Sequence, residues 1–120
     1  MRDFRKLKVW GEGHRLTLRV YEATSGFPRE ELYGLVAQMR RCSASIPANI
    51  AEGCGRSGDA ELRRFMLISM GSACELESHL LLARGLGYLD SQQYRLLSQA
   101  TQKIKRMLST FVTKLRHTPS

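Results

Sequence analysis

Apolar residues recur three and four apart along nearly the whole chain, and no stretch alternates with the period of two that a strand requires. Val9, Leu16, Val20 and Ala23 share one side of a first helix that stops before Ser25-Gly26-Phe27-Pro28. Gly11 and Gly13 weaken its opening turns, each by about 1 kcal/mol relative to Ala. A second helix is expected to begin between Pro28 and Leu35, with Glu30 and Glu31 at the positive end of its dipole. Its buried stripe reads Leu32, Leu35, Met39, Ser43, Ile46 and Ile50. Pro47 falls inside that stripe, where it removes the hydrogen bond to the Ser43 carbonyl at a cost of about 3 kcal/mol. Because the apolar register continues to Ile50, the expectation is one kinked helix and not two short ones.

Gly53 and Gly55 read as C-terminal glycines of that helix, and Ser57 or Asp59 as the cap of the next. The third helix then buries Leu62, Phe65, Ser69, Ser72, Ala73, Leu76, Leu80 and Ala83 before Gly85 and Gly87 stop it. Asp90 and Gln93 have the spacing of a capping box. Beyond them Tyr94, Leu97, Thr101, Ile104, Leu108, Phe111 and Leu115 keep the seam of a bundle. Short connections between such helices make neighbours antiparallel. The pattern therefore predicts an all-α, up-down antiparallel four-helix bundle, one domain over residues 1–120, with its second helix kinked at Pro47.

The third helix is apolar on both sides. At 100° per residue, Leu67, Met70, Cys74 and Leu81 gather opposite its core stripe, and a helix apolar on both sides is buried on both. The expectation is a subunit interface; the alternative is packing under a neighbouring helix of the same bundle.

Composition adds charge to this picture. Of 120 residues, 19 are Lys or Arg and 11 Asp or Glu, giving a net charge of +8 that attracts polyanions. Arg2, Arg5, Lys6, Lys8, Arg15 and Arg19 crowd the N-terminal segment, and the fourth helix carries Arg95, Lys103, Lys105, Arg106, Lys114 and Arg116 with no acid after Asp90. First and fourth helices are neighbours in a closed antiparallel bundle, so both sets would share one surface. The candidate nucleic-acid contacts are Arg2, Arg5, Lys6, Lys8, Arg95, Lys103, Arg106, Lys114 and Arg116; the alternative is a solvated charged face. Cys42, Cys54 and Cys74 are an odd set without a CxxC pair, which fits a reducing compartment. The opening Met1-Arg2-Asp3-Phe4-Arg5-Lys6 lacks a signal peptide's apolar stretch, and the run Leu80-Leu81-Leu82-Ala83 is too short to span a bilayer. A cytoplasmic protein with no membrane partner is expected.

Phe27-Pro28, Glu31-Leu32-Tyr33-Gly34-Leu35, Gln38, Arg40-Arg41 and Ser45-Ile46-Pro47-x-Asn49-Ile50-Ala51-Glu52-Gly53 resemble the "four helix bundle protein" family, which includes proteins encoded by intervening sequences of bacterial 23S ribosomal RNA genes, often labelled S23. Phe4-Arg5-Lys6-Leu7-x-Val9-Trp10, Glu75-Leu76-Glu77 and Leu86-Gly87-Tyr88-Leu89 fit as well, so the resemblance covers nearly the whole chain. It implies a left-handed four-helix bundle, assembly into a homopentamer, and kinship with the accessory variability determinants of diversity-generating retroelements, which engage a reverse transcriptase and nucleic acid. The chain looks closer to the ribosomal intervening-sequence branch. Gly11, Gly13, Cys42 and Cys54 depart from the pattern.

Gln38, Cys42, Ser45, Asn49 and Glu52 line one flank of the second helix. They read as a polar seam between helices or subunits, with Ser45 and Asn49 helping to satisfy carbonyls freed by Pro47; a small-ligand site at Asn49 and Glu52 is the sharper alternative. Gly53-x-Gly55-x-x-Gly58 matches a dinucleotide fingerprint in letters, but follows a helix where that motif needs a strand. Trp10 and Tyr21 read as packing residues before stacking ones. Glu75 and His79 form an i,i+4 pair with no second Glu-x-x-His, Glu22 and Glu52 have no matching His, and His14 and His117 lie near the ends, so no metal or cofactor is expected. No nucleophile elbow or P-loop is present. The sequence thus points to a non-enzymatic, self-associating protein that binds RNA or DNA through backbone phosphates as a ribonucleoprotein accessory factor. A scaffold docking an acidic protein such as a reverse transcriptase is the alternative.

Overall fold

A computed structural model of the protein describes residues 2–116; Met1, the side chain of Arg116 and residues 117–120, His117 among them, lie outside the described residues. Four helices form: α1 (Lys8–Thr24), α2 (Leu35–Gly55), α3 (Asp59–Gly85) and α4 (Ser91–Arg116), with 3₁₀ turns at Phe4–Lys6 and Arg29–Glu31. No strand occurs among the described residues. The helices pack in a closed square: α1 on α2, α2 on α3, α3 on α4 and α4 back on α1, with no approach across the diagonals among the described residues. The α2–α3 contact is the most extensive and the α1–α4 contact the least. The body measures 49 × 22 × 20 Å, a long axis set by helices of about 40 Å, at 1.5 Å per residue. This is the four-helix bundle that the apolar spacing predicts.

The core follows the predicted stripes closely. Leu16, Val20, Met39, Ile46, Ile50, Leu76, Leu80, Ile104 and Leu108 are almost wholly buried. Tyr94 and Phe111 are partly buried against this core. Some assignments change: Ser72 is only half-buried, and Val36 and Val112 join the core. Leu32 is 45% exposed, because the segment Arg29–Glu31 is a 3₁₀ turn and α2 starts only at Leu35. Met66 is buried where the periodicity did not require it. Glu31 still serves the helix start, since its carboxylate accepts from the Leu35 amide at 3.3 Å.

Helix ends agree in part. The Asp90–Gln93 capping box forms reciprocally, with 2.8 Å from the Gln93 amide to Asp90 and 3.3 Å from the Asp90 amide to Gln93. Gly87, at φ +79°, closes α3, and the amides of Gly87 and Tyr88 donate to the carbonyls of Arg84 and Ala83. At the start of α3, however, the cap residue is Gly58, and neither Ser57 nor Asp59 makes a side-chain cap there. Gly53 is not a terminating glycine. It is buried inside α2, and a Cβ there would lie 2.9 Å from the Phe65 Cβ and 3.1 Å from Leu62, so its lack of a side chain lets α3 approach.

α2 runs unbroken through Pro47. The Ser43 carbonyl that Pro47 leaves without an amide is served from α1, where the Thr17 hydroxyl shares its proton between Gly13 O at 2.8 Å and Ser43 O at 2.9 Å. From the other side, Ser69 of α3 donates to the Ile46 carbonyl at 2.9 Å. The expectation that Ser45 and Asn49 fill this role is corrected: Asn49 bonds the Ser45 carbonyl and hydroxyl, both at 2.8 Å. The Ser43 and Ile46 carbonyls are thereby bonded from neighbouring helices, as a dry interior demands.

Candidate functional site

The first turns of α1 and the last turns of α4 lie side by side because the bundle closes on itself. Along this weakest of the four contacts the two helices leave a groove. Its C-terminal part encloses about 580 Å³ between Arg2, Lys8, Arg106 and Lys114, over an apolar floor that includes Leu7, Met107, Phe111 and Leu115. A second stretch of about 600 Å³ continues it past Arg5, Lys6, Lys8, Arg15 and Lys103. The structure thus joins the two basic clusters that the sequence separates by some eighty residues, and it does so through Lys8, which lines both stretches. Arg95 is exposed on α4 but lines neither stretch, and the Arg116 side chain lies outside the described residues.

Local structure fixes how these cations stand. Asp3 caps the 3₁₀ turn, accepting from the Arg5 amide at 3.1 Å and pairing with the Arg5 guanidinium at 3.0 Å. That bond holds the Asp3 carboxyl below its ordinary range. Arg2 is tied by its amide to the Cys54 carbonyl at 3.0 Å, and its guanidinium lies 5.5 Å from the centre of the Phe111 ring. Trp10 is structural, partly buried between Phe4 at 5.0 Å and a stacked His14 at 4.9 Å.

Glu12 is the acid that the charge pattern did not place in this groove. It accepts from Lys103 at 3.1 Å and pairs with Arg15 at 3.0 Å. The Lys103 bond, more than any other influence, keeps the Glu12 carboxyl below its ordinary value. Asp59 also reaches the groove wall. Lys103 is therefore partly spent on α1, whereas Arg106, exposed, makes no ion pair among the described residues. The i,i+3 spacing of Glu12 and Arg15 was readable in the sequence; the Lys103 contact across 91 positions was not.

The predicted polar seam divides. Ser45 of α2 meets Ser72 of α3 through hydroxyls 2.8 Å apart, and Asn49 stands behind Ser45. Gln38 bonds Arg41, and Glu52 pairs with Arg56 at 3.2 Å on the surface, so neither joins the seam. On the outer side of α3, Leu67 and Leu81 are 44% and 52% exposed and Cys74 is exposed, while Met70 packs partly against the core. Ile68, Leu82 and Leu86 widen this apolar surface.

A third arrangement joins α2 to α3. Cys42, fully buried, brings its sulfur near the Glu75 carboxylate and the His79 ring, all within 4.8 Å of one another. Burial foremost, and then the charge of Glu75, push the Cys42 thiol up to about 12. The spacing of Glu75 and His79 was legible; the approach of Cys42 depends on helix packing and was not.

The model of the 23S rRNA-intervening sequence protein family matches residues 5–110. The chain belongs to this family. A crystal structure of a protein with unknown function from the S23 ribosomal protein family of Bacteroides thetaiotaomicron VPI-5482 is similar in fold, with a TM-score of 0.79 over 87% of this chain and 97% of that one, at 21% identity. A comparison with curated proteins gave no match. No helix among the described residues is long and apolar enough to cross a membrane.

Proposed function

We propose that this protein binds nucleic acid by its phosphate backbone in the groove between α1 and α4, acting as a non-catalytic ribonucleoprotein accessory protein. The observation that carries this reading is the convergence of Arg2, Lys8, Arg106 and Lys114 on one groove from opposite ends of the chain. Lys8, Arg106 and Lys114 on two packed helices, with Arg2 tied beside them by its amide to the Cys54 carbonyl, surround an elongated depression that suits a polyanion, and a net charge of +8 adds long-range attraction. The family's name directs the first trial to a fragment of 23S ribosomal RNA. Exposed Leu67, Leu81, Leu82 and Leu86 favour self-association through α3, which would repeat the groove in each copy and raise avidity.

Binding of labelled RNA and DNA, measured by fluorescence anisotropy over a range of salt, tests the proposal. Affinity falls with salt, and the triple variant Lys8→Ala, Arg106→Ala, Lys114→Ala weakens it. The log–log salt dependence also flattens, by about 0.9 for each duplex phosphate no longer neutralised, or about 0.7 for a single strand. Unchanged affinity and slope in that variant would overturn it. The apolar floor under the cations favours one other occupant, an acidic protein segment. Binding to a purified acidic protein that survives nuclease treatment, with no binding to RNA or DNA, would favour that reading instead.

A further inference from the structure

We propose that Cys42, Glu75 and His79 form a binding site for a divalent transition metal of borderline softness, zinc being the best match, that clips α2 to α3. The residues come from the two helices that pack most extensively, on the edge of the bundle opposite the α1–α4 groove. Glu75 and His79 are one turn apart on α3, the spacing that puts two ligands on one helical face. Their Oε2 and Nε2 atoms are 3.3 Å apart, close to the roughly 3.3 Å edge of a tetrahedron whose metal bonds are about 2.0–2.1 Å. Cys42 supplies the third corner from the middle of α2, its sulfur within 4.8 Å of both. A metal–sulfur bond of about 2.3 Å needs a sulfur-to-nitrogen edge near 3.5 Å, so side-chain rotations that close the set by about 1 Å complete the geometry.

The donor set selects the metal. A thiolate beside an imidazole and a carboxylate suits zinc, and it excludes calcium and magnesium, which require oxygen ligands. On binding, the Cys42 thiol releases its proton to solvent and the sulfur lone pair goes to the metal. Glu75 exchanges its partner, leaving Arg41, which it holds at only 3.6 Å on the surface. The Glu75 and His79 side chains are 45% and 22% exposed, against the buried Cys42. The fourth position therefore faces the solvent side, where a water completes the tetrahedron. Such a site stiffens the α2–α3 pair without entering the groove.

Titration of the reduced full-length protein with zinc alone, and separately with cobalt as a spectroscopic probe, tests the assignment. Saturation at one metal per chain is expected, with a thiolate-to-cobalt charge-transfer band in the near ultraviolet and a rise in thermal stability. Glu75→Gln alters an exposed position and His79→Ala a half-buried one, and the unfolding midpoint of each metal-free variant checks that its fold is intact. Each should weaken binding by more than the roughly 10–100-fold that removing a mere supporting group costs. Cys42→Ala should remove the charge-transfer band; Cys74→Ser should retain it. The proposal is overturned if the wild-type protein takes up no stoichiometric zinc, or if the cobalt band persists in Cys42→Ala. It is equally overturned if His79→Ala binds as the wild type does, which decides the matter even where Cys42→Ala fails to fold. None of these readouts involves nucleic acid.

Discussion

The hydroxyl of Thr17 in α1 lies 2.9 Å from the carbonyl oxygen of Ser43 in α2, the acceptor that Pro47 deprives of its amide. One residue on a neighbouring helix thus offsets the defect that a proline introduces in a helix interior. Thr17→Val keeps the shape of the side chain and removes the donor. It leaves a part-buried carbonyl without its partner and should cost about 1–3 kcal/mol in urea unfolding. A cost below a few tenths of a kcal/mol would mean that the freed carbonyl is served by solvent.

Two glycines in the opening turns of α1 should respond in opposite senses to the same change. At Gly13 a Cβ would lie 3.1 Å from Ile46 and 3.4 Å from the Pro47 ring, so the methyl forces α1 away from α2. At Gly11 the nearest atoms are those of the Arg15 guanidinium at 3.6 Å, the far end of a flexible side chain. Gly11→Ala should stabilise by about 0.5–1 kcal/mol through helix propensity. Gly13→Ala should destabilise by about 1–3 kcal/mol, as overpacking does. Thermal unfolding of the two variants checks both signs.

That contrast shows where the sequence was legible. Core stripes, helix number and the Asp90–Gln93 box depend on local spacing, and each reappears in the bundle. Gly13 and Gly53 read as weak or terminating helix positions because their local cost is visible and their benefit is not. The benefit is an approach between helices, to Pro47 in one case and to Phe65 in the other. The same holds for the candidate site. The basic clusters could be placed on neighbouring helices from the period alone, but the intrusion of Glu12 beside Lys103 and the meeting of Cys42 with Glu75 and His79 are decided by rotation and register. Phe27, Glu31 and Tyr88 make the point from the other side. They lie in separate stretches of the family pattern and come together, the Tyr88 hydroxyl donating to Glu31 at 3.0 Å and its ring 5.2 Å from Phe27.

Glu12 should make the α1–α4 contact sensitive to acid. Its carboxyl titrates below the ordinary value because Lys103 and Arg15 stabilise the charged form. A depressed folded-state value contributes stability that is fully present above the unfolded carboxylate range and is lost as pH falls through the folded value. Wild type should therefore exceed Glu12→Gln in stability at neutral pH by about 0.2–1 kcal/mol, given the exposure of Lys103. The difference should vanish in acid. Denaturant unfolding at neutral and acidic pH measures both.

The same substitution should act oppositely on nucleic-acid binding. Glu12→Gln removes a negative charge from the groove and releases Lys103, so binding should tighten, and the salt dependence should steepen by about 0.7–0.9 if one further phosphate is engaged. Weaker binding in a folded Glu12→Gln protein would show that the α1–α4 geometry, and not the freed cation, governs the interaction.

The outer side of α3 makes the last prediction. Leu67, Leu81 and Leu82 of α3, and Leu86 just past its end, are each 44–52% exposed, and apolar side chains gathered on one surface mark a candidate protein–protein contact. Leu81→Glu puts a charge in the middle of this surface. It leaves Leu80, almost wholly buried in the core, untouched, so the helical signal and unfolding midpoint of the isolated subunit should stay close to wild type. Sedimentation should show a self-associated wild-type protein and a lighter Leu81→Glu species, because an unpaired carboxylate is expensive to strip of water inside an interface. A wild-type chain that sediments as a monomer at high concentration, or a variant with unchanged mass, would rule out self-association through this face. Where the association is abolished, affinity for a long nucleic acid should drop while a fragment that fits one groove binds as before, since only the multivalent part of the binding depends on neighbouring copies.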